Sequence, residues 1–111
     1  MNATVTKFFR FSASHVAGTK VLGKNYRLEI SLDALLPGEE LAFEKKVHEK
    51  LIKKIESRDL GLHVDFLKDI EITDRNLLEA FWRVLRESVP GFEIRSMTLQ
   101  RDETTKTTIV Q

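Results

Sequence analysis

The chain has 111 residues, 41% of them hydrophobic, and 18 Lys and Arg stand against 17 Asp and Glu for a net charge of +1. This composition is typical of one folded domain spanning 1–111, and the near-neutral charge gives no general attraction to nucleic acid. The chain contains no cysteine, which excludes disulfides, thiolate metal ligands and a cysteine nucleophile.

No part of the sequence has the pattern of a targeting or membrane segment. The stretch 1–11 lacks the long apolar run of a signal peptide, and nowhere do about 18 apolar residues follow one another. We therefore expect a cytoplasmic protein without a membrane partner.

A first strand is predicted near the N-terminus from alternating apolar residues. Val5, Phe9, Phe11 and Ala13 share one parity, although Lys7 interrupts it. The residues that follow keep this phase as far as position 15. His15 is therefore expected on the inward face of the strand.

The next stretch, 22–32, alternates more regularly and predicts a second strand with one buried face. Its inward residues are Leu22, Tyr26, Leu28, Ile30 and Leu32. The opposite parity carries the polar residues Asn25, Arg27, Glu29 and Ser31. Lys24 falls on the apolar parity, which is unusual for a charged residue.

A helix is predicted after Pro37 and Gly38, which break the strand pattern. Apolar residues then recur at helical spacing, namely Phe43, Val47, Leu51, Ile52 and Ile55. Lysines and glutamates interleave on the remaining positions, so this charged side is expected to be a solvated face and not a nucleic-acid surface.

The stretch 57–72 has no sustained period, but its apolar residues predict that it packs against the core and holds a short helical turn. These residues are Leu60, Leu62, Phe66 and Leu67. A second helix is predicted to begin after the N-cap Thr73 and to end at Pro90 and Gly91. Its apolar face consists of Leu77, Leu78, Phe81, Trp82 and Leu85.

Two more strands complete the pattern. Phe92 and Ile94 have the opposite parity to Met97 and Leu99, which predicts a β-bulge near Arg95 and Ser96. The stretch 105–110, rich in Thr, Ile and Val, then closes a hairpin. The order β-β-α-α-β-β predicts an α+β fold with an antiparallel four-stranded sheet and both helices on one face. Pairing between subunits is one usual way to cover the two open edges.

Several short motifs resemble, in matching order, those of the 6-pyruvoyl-tetrahydropterin and 6-carboxy-tetrahydropterin synthases. The matching stretches are Phe11-Ser12-Ala13-Ser14-His15, Leu22-Gly23-Lys24-Asn25-Tyr26, Leu62-His63-Val64-Asp65-Phe66-Leu67-Lys68, Thr73-Asp74-Arg75-Asn76-Leu77 and Glu103-Thr104. The resemblance covers nearly the whole chain. It implies the tunnelling fold, a homo-oligomer such as a trimer or hexamer, and a pterin-like or purine-like ligand bound at subunit interfaces.

The same resemblance implies a zinc ion held by three histidines. His15 matches the first ligand, whereas Leu22 and Lys24 stand at the positions of the other two. Neither an alkyl group nor an ammonium ion coordinates zinc at neutral pH. We therefore predict no family-type metal site and no other cofactor, the alternative being a site rebuilt with His48 or His63.

Lys24 has two interpretations. Its ammonium group would supply the positive charge that polarises a ligand oxygen, in the place of the metal. Alternatively, its methylenes run along apolar surface at the rim of the sheet while the charge reaches water, an arrangement that is common for lysine.

His63 is the second candidate for catalysis. The proton-transfer machinery that the resemblance implies, a cysteine with an Asp-His pair, is absent, and the matching dipeptide is His63-Val64. His63 and Asp65 offer an acid-base pair in its place. A surface or packing role for His63 is the alternative.

Glu103 is the strongest candidate for ligand binding. A carboxylate can accept two parallel hydrogen bonds from the N–H and exocyclic amine of a pterin or guanine edge, and the resemblance implies this role for Glu103. Thr104, Tyr26 and His15 are expected to line the same pocket. The alternative for Glu103 is an exposed turn residue.

Three functions follow from these observations. The first is a divergent member of the synthase family that keeps a pterin-like or purine-like pocket without the usual zinc chemistry. The second is a non-catalytic oligomeric module, structural or regulatory. The third is an active lyase of the pterin synthase type with a rearranged metal site.

Overall fold

The computed structural model describes residues 3–17 and 19–111, apart from the side chains of Ala17, Lys20 and Leu22. The main elements, in chain order, are β1 (Thr4–Ala17), β2 (Lys20–Asp33), α1 (Pro37–Val47), β3 (Arg58–Asp59), α2 (Asp74–Ser88), β4 (Ile94–Gln100) and β5 (Lys106–Val110). Two short segments complete them: a π-helical turn that prolongs α1, His48–Ile52, and a 3-10 turn, Asp65–Leu67. The predicted α+β class and order of the main elements are confirmed.

One mixed sheet forms the base of the fold, with the strand order β3-β1-β2-β4-β5. Strands β1, β2, β4 and β5 pair antiparallel, as predicted. The predicted strand count is wrong, because the two-residue strand β3 pairs parallel to β1. The backbone N–H groups of Ser57 and Leu60 donate to the carbonyls of Ser12 and Ser14 on the edge of β1, at 2.6 and 2.7 Å. A strand this short carries no sequence period, so only the long-range pairing defines it.

The predicted β-bulge in β4 is confirmed. Ser31 of β2 lies opposite Ser96, and the next residue, Leu32, lies opposite Ile94. Arg95 is therefore the extra residue on β4. Its guanidinium makes a two-pronged contact with the carboxylate of Asp33, at 3.0 and 2.9 Å, which holds the bulge against the end of β2.

The core lies between the sheet and the two helices. Only one parity of β1 and β2 is buried, which means that both helices cover the same face of the sheet. The buried residues of the strands include Phe9, Phe11, Leu28, Ile30 and Leu32. The prediction that Leu22 also faces inward falls outside the described side chains.

The helix α1 does not end at Val47 but widens into the π-helical turn, and a last turn, Lys53–Ile55, follows. Apolar residues spaced by four drift around an α-helix, because its turn holds 3.6 residues. The wider π turn offsets this drift. Leu51 and Ile52 therefore both stay in the core.

The connection 57–72 packs against the core and holds the predicted helical turn, here of the 3-10 type. Leu60 and Leu67 are buried, and Phe66 is partly buried. The prediction that Leu62 packs inward is wrong. Its N–H and that of Gly61 both donate to the Asp59 carboxylate, and the resulting turn leaves the Leu62 side chain 71% exposed.

The helix α2 begins at the predicted N-cap. The Thr73 hydroxyl accepts a hydrogen bond from the Asn76 N–H at 3.2 Å. We expect Thr73→Ala to lower the free energy of unfolding by about 1 kcal/mol, because this N–H loses its partner. Thr73→Ser keeps the oxygen and is the matched control. Equal urea midpoints for the two variants would contradict a capping role.

Among the helices of the described residues, none combines the length and the apolar character needed to cross a lipid bilayer.

Candidate functional site

At one end of the sheet, the inward-facing positions of three strands carry polar side chains instead of apolar ones. His15 follows Ala13 on β1, Lys24 precedes Tyr26 on β2, and Arg101 follows β4 in the phase of Leu99. These residues, with the start of α2, enclose a cavity of about 350 Å³, which we call the inner cleft. Its lining consists of His15, Lys24, Tyr26, Ile72, Thr73, Asp74, Leu77 and Arg101.

An ion pair between Asp74 and Arg101 closes one side of the inner cleft. Arg101 Nε donates to Asp74 Oδ2 at 2.8 Å, and the two side chains are 37% and 17% exposed. Partial burial weakens the screening of this pair by water. The contact joins the first turn of α2 to the end of β4, 27 residues away in sequence. It fixes where the remaining N–H groups of the guanidinium lie.

Tyr26 stands at the base of the inner cleft. Its ring stacks on Phe11, the residue opposite it on β1, with 4.9 Å between centroids and 13° between planes. Tyr26 is 4% exposed. Burial raises the pKa of the phenol above its ordinary value of 10.0, the Asp74 carboxylate raises it further, and the Arg101 guanidinium lowers it.

The titration of Tyr26 can be followed directly, because it is the one tyrosine of the chain. We expect the ultraviolet absorbance of tyrosinate to appear with a midpoint above pH 10.0 in the folded protein. The Asp74→Asn variant should titrate at lower pH, since a carboxylate that opposes the phenolate is removed. Denatured protein, as the control, should titrate at about 10. A wild-type midpoint at or below that of the denatured chain would contradict the described environment.

The same shift has a consequence for stability. The folded state holds the phenolic proton more tightly than the unfolded chain does. The stability linked to this proton is therefore complete below pH 10.0 and is lost as the pH rises through the pKa of the folded state.

Lys24 reaches the inner cleft from β2, where it lies opposite Ala13. Its side chain is partly buried. Among the described residues it forms no ion pair with a carboxylate. Lys24 also borders a wider opening at the same end of the sheet.

This wider opening, which we call the outer groove, has a volume of about 1060 Å³. Lys24, Tyr26 and Arg101 line it as well as the inner cleft, but its lining also includes residues of the outward phase of β1 and β2, Arg10 and Arg27 among them. The outer groove therefore lies mainly on the sheet face opposite to the inner cleft. Glu103 lies in its lining, with an exposed side chain. The structure therefore brings four of these groups to one end of the sheet: Lys24, Tyr26, Arg101 and Glu103.

Thr104 lies beside the outer groove, and its polar groups contact Asp102. Its N–H and its hydroxyl both donate to Asp102 Oδ1 at 2.8 Å. These two hydrogen bonds lower the pKa of the exposed Asp102 carboxyl below its ordinary value. The turn orders the backbone that carries Glu103.

His63 lies apart from both cavities in the described part of the chain. It is exposed, in the loop after β3, and its backbone N–H donates to the Asp59 carbonyl at 2.9 Å. No hydrogen bond joins His63 to Asp65 among the described contacts, and Asp65 is exposed as well. Within one chain, His63 and Lys24 are therefore not neighbours in a site.

The residues of the inner cleft do not fit the zinc ion that the resemblance implies. His15 lies opposite Leu22 in the strand register, and Lys24 is the other residue at a matching position. The described residues contain no group of three His, Cys, Asp or Glu side chains able to hold a metal ion. His15 Nδ1 is buried and has no hydrogen-bond partner among the described atoms. One imidazole with a leucine and an ammonium does not make the three-ligand set of a catalytic zinc.

Sequence reasoning missed Asp74 and Arg101 as site residues. In the sequence, Asp74 is an ordinary acidic residue of a first helical turn, where a carboxylate interacts favourably with the helix dipole. Arg101 carried a signal, because it continues the inward phase of Met97 and Leu99 as Lys24 continues that of Tyr26 and Leu28. Lys24 and Arg101 are thus both charged residues at positions where the alternation of the strand predicts an apolar side chain.

Comparisons with known proteins agree with the resemblance at the level of the fold. Neither the protein-family models nor the curated protein sequences give a match. Among solved structures, the 6-pyruvoyl tetrahydropterin synthase of Caenorhabditis elegans superposes with a TM-score of 0.85 and 18% identity, covering 100% of this chain and 96% of that one. An uncharacterized protein from Wolinella succinogenes superposes with a TM-score of 0.66 and 11% identity, covering 100% and 99%. The chain is therefore a divergent sequence with the fold of 6-pyruvoyl tetrahydropterin synthase.

Proposed function

We propose that the protein binds a pterin-like or purine-like heterocycle in the outer groove, without the zinc chemistry of the synthases it resembles. The supporting observation is the outer groove itself, a cavity of about 1060 Å³ at the end of the sheet with Glu103 in its lining. Lys24 and Arg101 line the same groove. A ring anchored at Glu103 would thus lie beside these two cations.

Recognition in this proposal depends on the pattern of hydrogen-bond donors at the edge of the ring. A pterin or guanine edge presents an N–H and an exocyclic amine side by side, and the Glu103 carboxylate accepts from both. Neutral rings without these two donors would bind more weakly. Thr104 contributes by ordering the turn, since it holds Asp102 through two hydrogen bonds.

We further propose that the binding site is completed in a homo-oligomer, as a trimer or hexamer. Two sheet edges are available in the described chain: the outer edge of β5, and the outer edge of β1 before its pairing with β3 at Ala13. Val110 on β5 and Phe8 on β1 are 75% and 53% exposed. Pairing of these edges between copies would cover apolar surface and satisfy the open backbone groups.

The catalytic assignments to Lys24 and His63 remain proposals. Lys24 lines both cavities, so it would touch a bound ligand directly. His63 would reach the ligand of a neighbouring copy, since it lies apart from the cavities of its own chain. The near-neutral net charge, and the glutamates that interleave with the lysines of the first helix, favour a small-molecule ligand over nucleic acid.

The exposure of Glu103 and Thr104 favours a second function, a non-catalytic oligomeric module of structural or regulatory type. In this case the ring of subunits is the functional unit and no heterocycle binds. The third function, a lyase with a rearranged metal site, needs ligands besides His15.

Native mass spectrometry of protein purified without chelators, followed by titration with neopterin, separates these functions. We expect a metal-free homo-oligomer that takes up one neopterin for each chain. A metal-free oligomer that binds no neopterin would favour the non-catalytic module. One zinc ion per chain would contradict the metal-free proposal and favour the lyase.

A further inference from the structure

The inner cleft has more hydrogen-bond donors and positive charge than its own side chains can satisfy. Lys24 brings an ammonium group and Arg101 a guanidinium, while Asp74 is the one carboxylate among the lining residues. That carboxylate already accepts from Arg101 Nε at 2.8 Å. The lining therefore contains two cationic side chains and one carboxylate, and that carboxylate already forms an ion pair with Arg101.

The donors that remain belong to residues that line the cavity. Lys24 forms no ion pair among the described residues. The Arg101 side chain donates one described hydrogen bond, from its Nε to Asp74. The Tyr26 phenol, whose ring is buried on Phe11, lines the same space. Ile72 and Leu77 supply apolar wall, which lowers the local dielectric and strengthens the attraction of these cations for an anion.

We propose that the inner cleft binds an oxyanion, a carboxylate or phosphate group, through Lys24 and Arg101. Asp74 acts as a positioning residue, because its contact with Nε orients the guanidinium and leaves the terminal nitrogens to the ligand. This anion site lies in the inner cleft, separate from the heterocycle proposed for the outer groove, so the inference goes beyond the proposed function.

The acidic residues nearby do not cancel this charge. Asp102 and Glu103 line the outer groove and are absent from the lining of the inner cleft. Both are exposed, so water screens their effect on the interior of the cleft.

Isothermal titration of the protein with inorganic phosphate and, separately, with formate tests the inference, and the two arms tell a phosphate from a carboxylate site. We expect saturable binding of at least one of these anions. Lys24→Met should weaken it about 10-fold or more, as expected for a hydrogen bond to a charged group. Lys50→Met removes an exposed lysine of the π-helical turn, outside both cavities, and should leave the affinity unchanged.

A second measurement uses the wild-type protein and does not depend on the folding of a variant. Saturating phosphate or formate should slow the acetylation of Lys24 by an amine-reactive ester, while that of Lys50 stays the same. The inference is overturned by the absence of anion binding, by equal affinities of the two methionine variants, or by uptake of zinc that is lost in His15→Ala.

These outcomes are independent of the neopterin experiment, because neopterin carries no acidic substituent. Neopterin binding without anion binding would overturn the inference and leave the proposed function standing. Anion binding without neopterin binding would support the inner cleft as an oxyanion site and contradict the proposed heterocycle.

Discussion

Replacing Phe81 with alanine is expected to lower the free energy of unfolding by about 3–5 kcal/mol, because it opens a cavity where α2 packs on the sheet. The Phe81 side chain is fully buried. Its ring lies edge-on to Phe11, with centroids 6.0 Å apart, and edge-on to Phe66, at 6.2 Å. It therefore joins the helix, the sheet and the 57–72 connection in one aromatic cluster.

The loss should also reach the candidate site. Phe11 lies between Phe81 and Tyr26, on whose ring it stacks. With Phe81 removed, Phe11 loses a neighbour and Tyr26 gains access to water. We expect the tyrosinate midpoint of Phe81→Ala to shift down toward the ordinary value, provided that the variant is still folded at high pH.

Urea unfolding at one protein concentration measures the effect, and Leu62→Ala is its matched control. The Leu62 side chain is 71% exposed in the loop after β3. Removing it should cost less than about 0.5 kcal/mol, as is usual for a surface substitution. Similar losses in the two variants would contradict the described packing of α2.

Glu103→Ala is expected to weaken neopterin binding by about 10-fold to 100-fold, if the carboxylate anchors the ring. A hydrogen bond to a charged group contributes about 1.5–3 kcal/mol, which corresponds to this range of affinity. The Glu103 side chain is exposed, so its removal should leave the unfolding midpoint unchanged. The effect would therefore appear in binding and not in stability.

Two further variants sharpen this test. Glu103→Gln keeps the size of the side chain but replaces one acceptor oxygen by an amide donor, so it should bind neopterin nearly as weakly as the alanine variant. Glu87→Ala removes an exposed glutamate of α2 that lines neither cavity, and should bind as the wild type does. An unchanged affinity in both Glu103 variants would remove Glu103 from the site.

Much of the fold could be predicted from the sequence, because burial imposes a local period on each main element. The alternation in β1 and β2, the spacing of apolar residues in α2 and the Thr73 cap all involve contacts within a few residues. Even the bulge at Arg95 could be recognised locally, since the parity of the inward-facing residues changes between Ile94 and Met97. The strand β3 could not, because two residues are too few to show an alternation.

The candidate site was predicted in part, for a similar reason. Lys24, Tyr26 and His15 share one inward phase with the core, and the structure brings them into one cleft. Glu103 borders the adjoining groove. The catalytic role of His63 had no such local support, and His63 lies outside the linings of both cavities.

The sequence by itself determined the class and order of the main elements, and the positions where a charge interrupts an apolar phase. Only the tertiary structure decided that Arg101 contacts Asp74, that β3 joins the sheet, and that Lys24 and Arg101 line both the inner cleft and the outer groove. The physical reason is the range of the contacts. The spacing of buried residues along a strand or helix can be recognised from a few neighbouring positions. An ion pair between residues 27 positions apart depends instead on how α2 packs against the end of β4.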